Sequence, residues 1–455
     1  MRMGRGMRIF SELQSVRCAR VSWLWGMACV LIMALVEPSV AGSGPRNVLL
    51  VYSGNTLGEL KPCGCAREED QGGIERRMTY LTEVRSRAGE ILLLDTGDNF
   101  KEPSVQGKLK AQTLMKSLAA MKYDGIAVGE HDLVYGNRFL QDHAELPWLS
   151  GNLKFQGLVF PEVRIKKFNN GIKAAVLTVA EPELFYAGGH ADIQIDDPKN
   201  QATRLIAGLH RSEKPDLVVL ITHMHRKKAL EYLAFQGVDV VINGHIEGET
   251  DTIDMSVVER AGKIFVQPSP RGQKMGEIEV RIGSGGEKTF EQRIVRLDSS
   301  VKFDSEMVEL YKQYNEKVEE LFFASLSEKR ADNKKNVFAT DAVCKTCHPS
   351  QHQVWSESRH GHAYATLRKV HKAFDPECLV CHVTGLNQPG GFISEVDTPE
   401  LENVQCEVCH GPGAEHAKAP RPGFGGKAAA ACAKCHVKNH SPNFDFSRYW
   451  PKIRH

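Results

Sequence analysis

Four copies of Cys-x-x-Cys-His lie in the C-terminal stretch of the chain: Cys344, Cys347 and His348; Cys378, Cys381 and His382; Cys406, Cys409 and His410; Cys432, Cys435 and His436. Two thiols one helical turn apart can add to the two vinyl groups of one porphyrin, and the adjacent imidazole is then held against the iron. One copy is a weak signal, because Cys-x-x-Cys also serves zinc sites and dithiol redox pairs. Four copies that all keep the histidine point to four covalently bound haems of the c type, with His348, His382, His410 and His436 as proximal ligands. Composition agrees. The last 118 residues hold eight of the 12 cysteines and 11 of the 18 histidines, with many Gly and Pro and few long apolar runs, so porphyrin must supply the hydrocarbon that side chains do not.

A separate pair, Cys63 and Cys65, sits one glycine apart in "SGNTLGELKPCGC", just after a strand-like run. Thiolates there can ligate a soft metal such as iron or zinc, or cycle between dithiol and disulfide. A bridge across a single residue closes a small strained ring, and strained bridges are the easily reduced ones. The plain alternative is a loop staple.

The tail, residues 337–455, resembles the cytochrome c554-type multihaem family. The segments that carry the resemblance are "VCKTCHPSQHQVWSESRHGHAYATL", "DPECLVCHVTGLNQPGGF", "VQCEVCHGPGAEH" and "SPNFDFSRYWPKIRH". It implies closely stacked haems that relay electrons, most with two histidine ligands. As distal ligands it implies a histidine of "SRHGH" (His360, with His362 as the second choice), His416 and His455. Three distal candidates for four irons leave one haem open. His352, His371 and His440 read as surface residues.

The elements that must position the remaining chemistry lie upstream. From Arg46 to about Ser300 apolar runs such as "NVLLVYS", "EILLLDTG", "DLVVLITHMH" and "VDVVINGH" alternate with amphipathic stretches, which predicts a layered α/β domain with polar clusters at its strand ends. Residues 301–336 have helical spacing and read as a connecting helix. The C-terminal domain is expected to be mostly helical and rich in loops.

The α/β region resembles the calcineurin-like metallophosphoesterases, in the 5′-nucleotidase and UDP-sugar hydrolase branch. Its motifs occur in order: "LLLDTGDNF", "VGEHDLVYG", "LITHMH", "INGHIEG" and "QPSPRGQKMGEIEV". The resemblance implies a sandwich fold and a metal site at the strand ends. Asp98 takes the place of the bridging aspartate, Glu130 that of the motif asparagine, and His223 and His245 those of the two histidines of one metal position. His131, supported by Asp132, matches the histidine that stabilises a leaving group. The other metal position departs from the pattern. Asn55-Thr56-Leu57 replaces Asp-x-His, and Glu247 replaces the final histidine. The expected cofactor there is one divalent metal (Fe, Zn or Mn), with two as the alternative. The sequence is also similar to exported nucleotidase-like proteins in which the Cys63/Cys65 pair can be replaced by selenocysteine, which implies redox chemistry at that pair. Arg76 and Arg77 of "QGGIERR" read as a helix start or as partners of an anionic substrate, and His225 is left open.

The N-terminus carries arginines, an apolar run from Val21 to Val36 and small residues at Ser39 and Ala41, the pattern of a signal peptide over 1–41, with an uncleaved anchor as alternative. The expected location is the periplasm and the expected partners are periplasmic or membrane-bound redox proteins and a small-molecule substrate. A net charge of +2 argues against nucleic acid. Three functions follow. The first is an exported electron-transfer protein with a remodelled metal and cysteine site. The second is a phosphoester or sulfur-ester hydrolase tethered to an electron-transfer chain, and the third a pure electron carrier with an inactive α/β module.

Overall fold

The computed structural model describes residues 46–62, 70–101, 103–190, 192–247, 255–333, 337–425, 428–437, 440–441 and 443–455. The expected signal segment and the Cys63/Cys65 pair therefore lie outside the described residues. No described helix is long and apolar enough to cross a membrane.

Two six-stranded sheets form the α/β region. The first runs in the order Lys288–Arg296, Lys274–Ile282, β1 (Arg46–Ser53), β2 (Ile91–Asp95), β3 (Gly125–Ala127) and Trp148–Leu149. The second runs Val258–Arg260, Lys263–Val266, β5 (Val240–Asn243), β4 (Leu217–His223), Lys173–Ala180 and Val163–Lys167. β1, β2, β3 and Trp148–Leu149 are parallel to one another, as are Lys173–Ala180, β4, β5 and Lys263–Val266, while Lys274–Ile282 runs antiparallel to β1 and to Lys288–Arg296, Val163–Lys167 to Lys173–Ala180, and Val258–Arg260 to Lys263–Val266. Alternation explains the packing. Val48, Leu50 and Tyr52 of β1 meet Ala174, Val176, Val219 and Ile221 of the other sheet, whereas Val51 points to the opposite face. The outer faces are covered by helices: α1 (Ile74–Ala88) and α2 (Val105–Met121) on the first sheet, the helix Pro198–Ser212 on the second. The result is a four-layer sandwich.

α3 (Ser305–Asp332) is the connecting helix. Met307, Tyr314, Val318, Phe322 and Leu326 repeat at helical spacing and are all buried, so one stripe of a rod about 42 Å long faces the core. The same core takes in Phe338, Tyr364, Leu367, Leu379, Val383 and Leu401 of the C-terminal region. That region consists of short helices, among them α4 (Asp341–Cys347), α5 (Pro376–His382) and α6 (Cys406–His410). Its segments Asp341–Cys347 and Pro349–Glu357 bury no residue against protein, as expected where side chains are not the main filling.

Candidate metal and haem sites

β2, β3, β4 and β5 all end at one edge of the sandwich, and the residue at or just beyond each end carries a ligand atom: Asp98, Glu130, His223 and His245. One donor atom from each lies within 4.8 Å of the others. His223 Nε2 is 3.5 Å from Asp98 Oδ2 and in contact with Glu130 Oε2, and His245 Nδ1 is 3.1 Å from Glu130 Oε1. Asp98 adopts a left-handed backbone, φ 56°, and its Oδ1 accepts the amide of His131 at 3.0 Å. Gly129 has to be glycine, because a Cβ there would come within 2.2 Å of Asp98 Oδ1 and 2.7 Å of His223 Cε1.

The electrostatics are those of crowded acids. Burial, reinforced by the Glu130 charge, pushes the Asp98 carboxyl up to about 7, and burial with the Asp98 charge does the same to Asp132. Burial works against the Glu130 charge too, but His223 and His245 outweigh it and hold Glu130 below the usual carboxylate range. Burial likewise opposes the charge on His223, yet Asp98 and Glu130 raise that imidazole to about 10. Two carboxylates and two imidazoles converging in a buried pocket fit a divalent first-row cation, whose charge would offset the crowded acids. Unpartnered buried atoms gather at the same edge: both side-chain atoms of Asn55, Thr96 Oγ1, Asn99 Oδ1 and His223 Nδ1.

The other sequence-derived residues are placed differently. Asp132 does not serve the His131 ring. Its Oδ2 accepts the amides of Asp98 and Gly129, both at 2.9 Å, and its Oδ1 the amide of Asn99 at 2.8 Å, because the sharp turns on both loops leave amides that need an acceptor. Asn55 stands beside this loop through backbone bonds, Asn55 N to Gly97 O at 2.7 Å and Leu57 N to Asp98 O at 3.1 Å, and its side-chain amide is buried without a protein partner. Glu247 is exposed and accepts the Arg226 amide at 2.6 Å. Arg76 and Arg77 are buried inside the fold, paired to Asp70 at 2.9 Å and to Thr56 Oγ1 at 3.1 Å, so they do not face an open substrate site. His225 is at the mouth, its Nδ1 2.9 Å from Glu181 Oε2 and its ring 5.3 Å from that of His245. Glu181 escaped the sequence reading. The signal was an acid directly after the apolar strand Lys173–Ala180, which neighbours β4.

In the C-terminal region the eight motif cysteines are free of disulfides. The histidines meet in pairs: His348 with His416 (ring centroids 6.4 Å apart), His436 with His360 (6.2 Å) and His410 with His455 (5.8 Å). Metal–imidazole bonds of about 2 Å on either side of one ion put ring centres roughly 6 Å apart, so each pair fits an iron between its rings. His382 has no histidine partner of this kind among the described residues, and neither does His362. The Nδ1–H of His382 donates to Ala363 O at 2.7 Å, and that of His410 to Gly425 O at 3.2 Å, which leaves Nε2 of each for a metal. Burial, with the charge of His436 added at His360, lowers the pKa of both His360 and His436 and keeps these imidazoles in the neutral, ligating form.

Known proteins divide along the same line. Residues 343–411 match the family described as cytochrome c554 and c-prime. Cytochrome c-554 of Nitrosomonas europaea is 36% identical over 85 residues, 15% of this chain and 36% of that protein. A 5′-nucleotidase of Vibrio cholerae is 25% identical over 308 residues, covering 54% of this chain and 55% of its own length, so the chain spans about half of that relative. Among solved structures, a 5′-nucleotidase precursor of Thermus thermophilus superposes with a TM-score of 0.52 at 18% identity, covering 64% of this chain and 61% of its own. The sulfate thiohydrolase SoxB of Thermus thermophilus gives 0.51 at 14% identity, covering 64% and 62%. These two likenesses concern the fold.

Proposed function

We propose that this chain, which joins a 5′-nucleotidase-like metallophosphoesterase domain to a cytochrome c554-like region, is an exported redox protein. Its C-terminal region carries four haems that pass electrons to or from the strand-end site of the α/β domain. The observation that carries this reading is the pairing of His348 with His416, His436 with His360 and His410 with His455, while His382 has no histidine partner among the described residues. Paired histidines close an iron to everything except electrons, and an unpaired one leaves a position where a small ligand can bind.

In the α/β domain Asp98, Glu130, His223 and His245 would hold one divalent cation, which supplies Lewis acidity and stabilises a neighbouring thiolate or anion. Asp132 keeps the Asp98 and Gly129 turns in register through three amide bonds. Glu181 orients His225 at the mouth. Asn55 and Leu57, in place of an Asp-x-His pair, offer no anionic ligand for a second ion. Cys63 and Cys65, in the stretch between Pro62 and Asp70, are the proposed dithiol. Oxidised, the pair takes two electrons and two protons to become two thiols.

The fold neighbours that are hydrolases support a second reading, a phosphoester or sulfur-ester hydrolase tethered to an electron-transfer chain, in which His131 would serve a leaving group. Elemental analysis, thiol titration and a pyridine haemochrome assay on the purified full chain separate the two. One metal, two redox-active thiols and four haems per chain are the expected result. Two metals with phosphatase turnover and inert thiols would replace the redox reading by the hydrolase.

A further inference from the structure

One of the four haem-bearing segments is bound into the α/β domain. Asp375 caps α5, the helix of Cys378, Cys381 and His382, and its Oδ1 accepts the Glu377 amide at 3.1 Å. The same oxygen accepts Gln106 Nε2 of α2 at 2.8 Å, and Gln106 also donates to the Tyr314 hydroxyl of α3 at 3.1 Å. Lys110 of α2 pairs with Glu377 in the first turn of α5. Leu379, fully buried, lies in one apolar cluster with Leu114 of α2 and Tyr314 of α3. α5 is thus held at its cap, its first turn and its apolar face.

Tyr311 occupies the junction. It packs against the same apolar core as Cys378. Lys372, itself 2.9 Å from Asp375, stands 5.1 Å from the Tyr311 ring centre. On the other side the Lys61 ammonium sits 4.4 Å from that centre and 3.2 Å from Glu75 of α1. One aromatic ring therefore stands between Lys372, which is paired to the cap residue of α5, and Lys61 on the loop that leaves β1.

The geometry points to the haem attached at Cys378 and Cys381 as the electron port between the two halves, with Tyr311 as the bridging side chain. The port rests on the redox reading above. Each transfer takes one electron from an Fe(II) haem and leaves it Fe(III), and two transfers with two protons from solvent convert the disulfide acceptor of that reading into two thiols. His382 has no histidine partner among the described residues, so this port is also the haem that a high-spin signal would report.

The test uses the full-length holoprotein with Tyr311→Leu and Tyr311→Phe. Tyr311→Leu is expected to shift the midpoint potential of the high-spin haem and leave those of the three bis-histidine haems in place. When the disulfide-oxidised protein is mixed with dithionite in stopped flow, the fast phase in which the reduced high-spin haem is reoxidised by the disulfide is expected to disappear in Tyr311→Leu and to survive in Tyr311→Phe, which keeps the ring. A shift in a bis-histidine haem instead, or a Tyr311→Leu protein with unchanged potentials and fast phase, overturns the assignment. Thiol counting keeps the two readings apart. Absent thiols with the selective potential shift intact would remove the disulfide acceptor and leave the junction haem standing.

Discussion

The imidazole rings of His410 and His455 lie with their centres 5.8 Å apart and their planes inclined by 51°. On the proposed reading a ring so placed is the sixth ligand of the iron at His410, and removing it opens that iron. His455→Ala is expected to convert one low-spin haem to high-spin and to add a second carbon-monoxide-binding iron to the one at His382. Electron paramagnetic resonance and carbon monoxide titration report both. An unchanged spectrum would mean that His455 is a surface residue.

His245 and Glu247, two residues apart, should differ sharply in their effect on metal binding. The first belongs to the four-atom cluster, whereas the second is exposed and holds a backbone amide. Loss of a direct ligand in His245→Ala is expected to exceed the roughly 10–100-fold cost of outer-shell changes, with Glu247→Ala below about tenfold. Calorimetric titration of the metal-free protein with Zn(II) gives both numbers, and equal losses would place Glu247 among the ligands.

Asp98→Asn should separate stability from metal affinity. The carboxyl is buried beside the charges of Glu130 and Asp132, and Asn tolerates the left-handed backbone that Asp98 adopts. Without metal the variant is expected to melt higher than the native chain, since a like charge is gone. With metal at about 100 times the dissociation constant the native chain gains about 2.7 kcal/mol and the variant gains nothing. Thermal melts with and without metal decide this; a variant that melts lower in both states would show that the Asp98 charge is already compensated.

Gly129→Ala places a methyl group 2.2 Å from Asp98 Oδ1. The overlap forces the Asp98 and Glu130 loops apart. Destabilisation of about 1–3 kcal/mol in urea unfolding is expected, together with weakened metal binding. Native stability combined with native affinity would show that the two loops can part without cost.

The two halves of the molecule were legible to different degrees in the sequence. Cys-x-x-Cys-His is a local pattern, so the attachment residues and proximal histidines are readable without the fold. Asp98, Glu130, His223 and His245 are scattered over the sequence, and they became readable because each follows an apolar strand run whose end the resemblance marked. The choice between His360 and His362 depends on which ring reaches His436, a tertiary fact. Asp132 was misjudged because a carboxylate beside a histidine invites a side-chain partnership, whereas two tight turns with three free amides compete for it and win. Glu181 and the α5 junction were invisible for the same reason: their partners His225, Gln106 and Tyr314 lie far away along the chain.

The continuous core shared by α2, α3 and α5 also bears on biogenesis. Leu114, Tyr314 and Leu379 belong to one buried cluster, so that part of the core is complete only after the α5 segment has docked. On the proposed reading of an exported haem protein, the thiols at Cys378 and Cys381 must be modified while they are still reachable, and the α/β layers close afterwards. Defective cofactor loading in the tail would then surface as proteolytic sensitivity of the N-terminal half, with cleavage sites in α2 and α3 rather than in the tail itself.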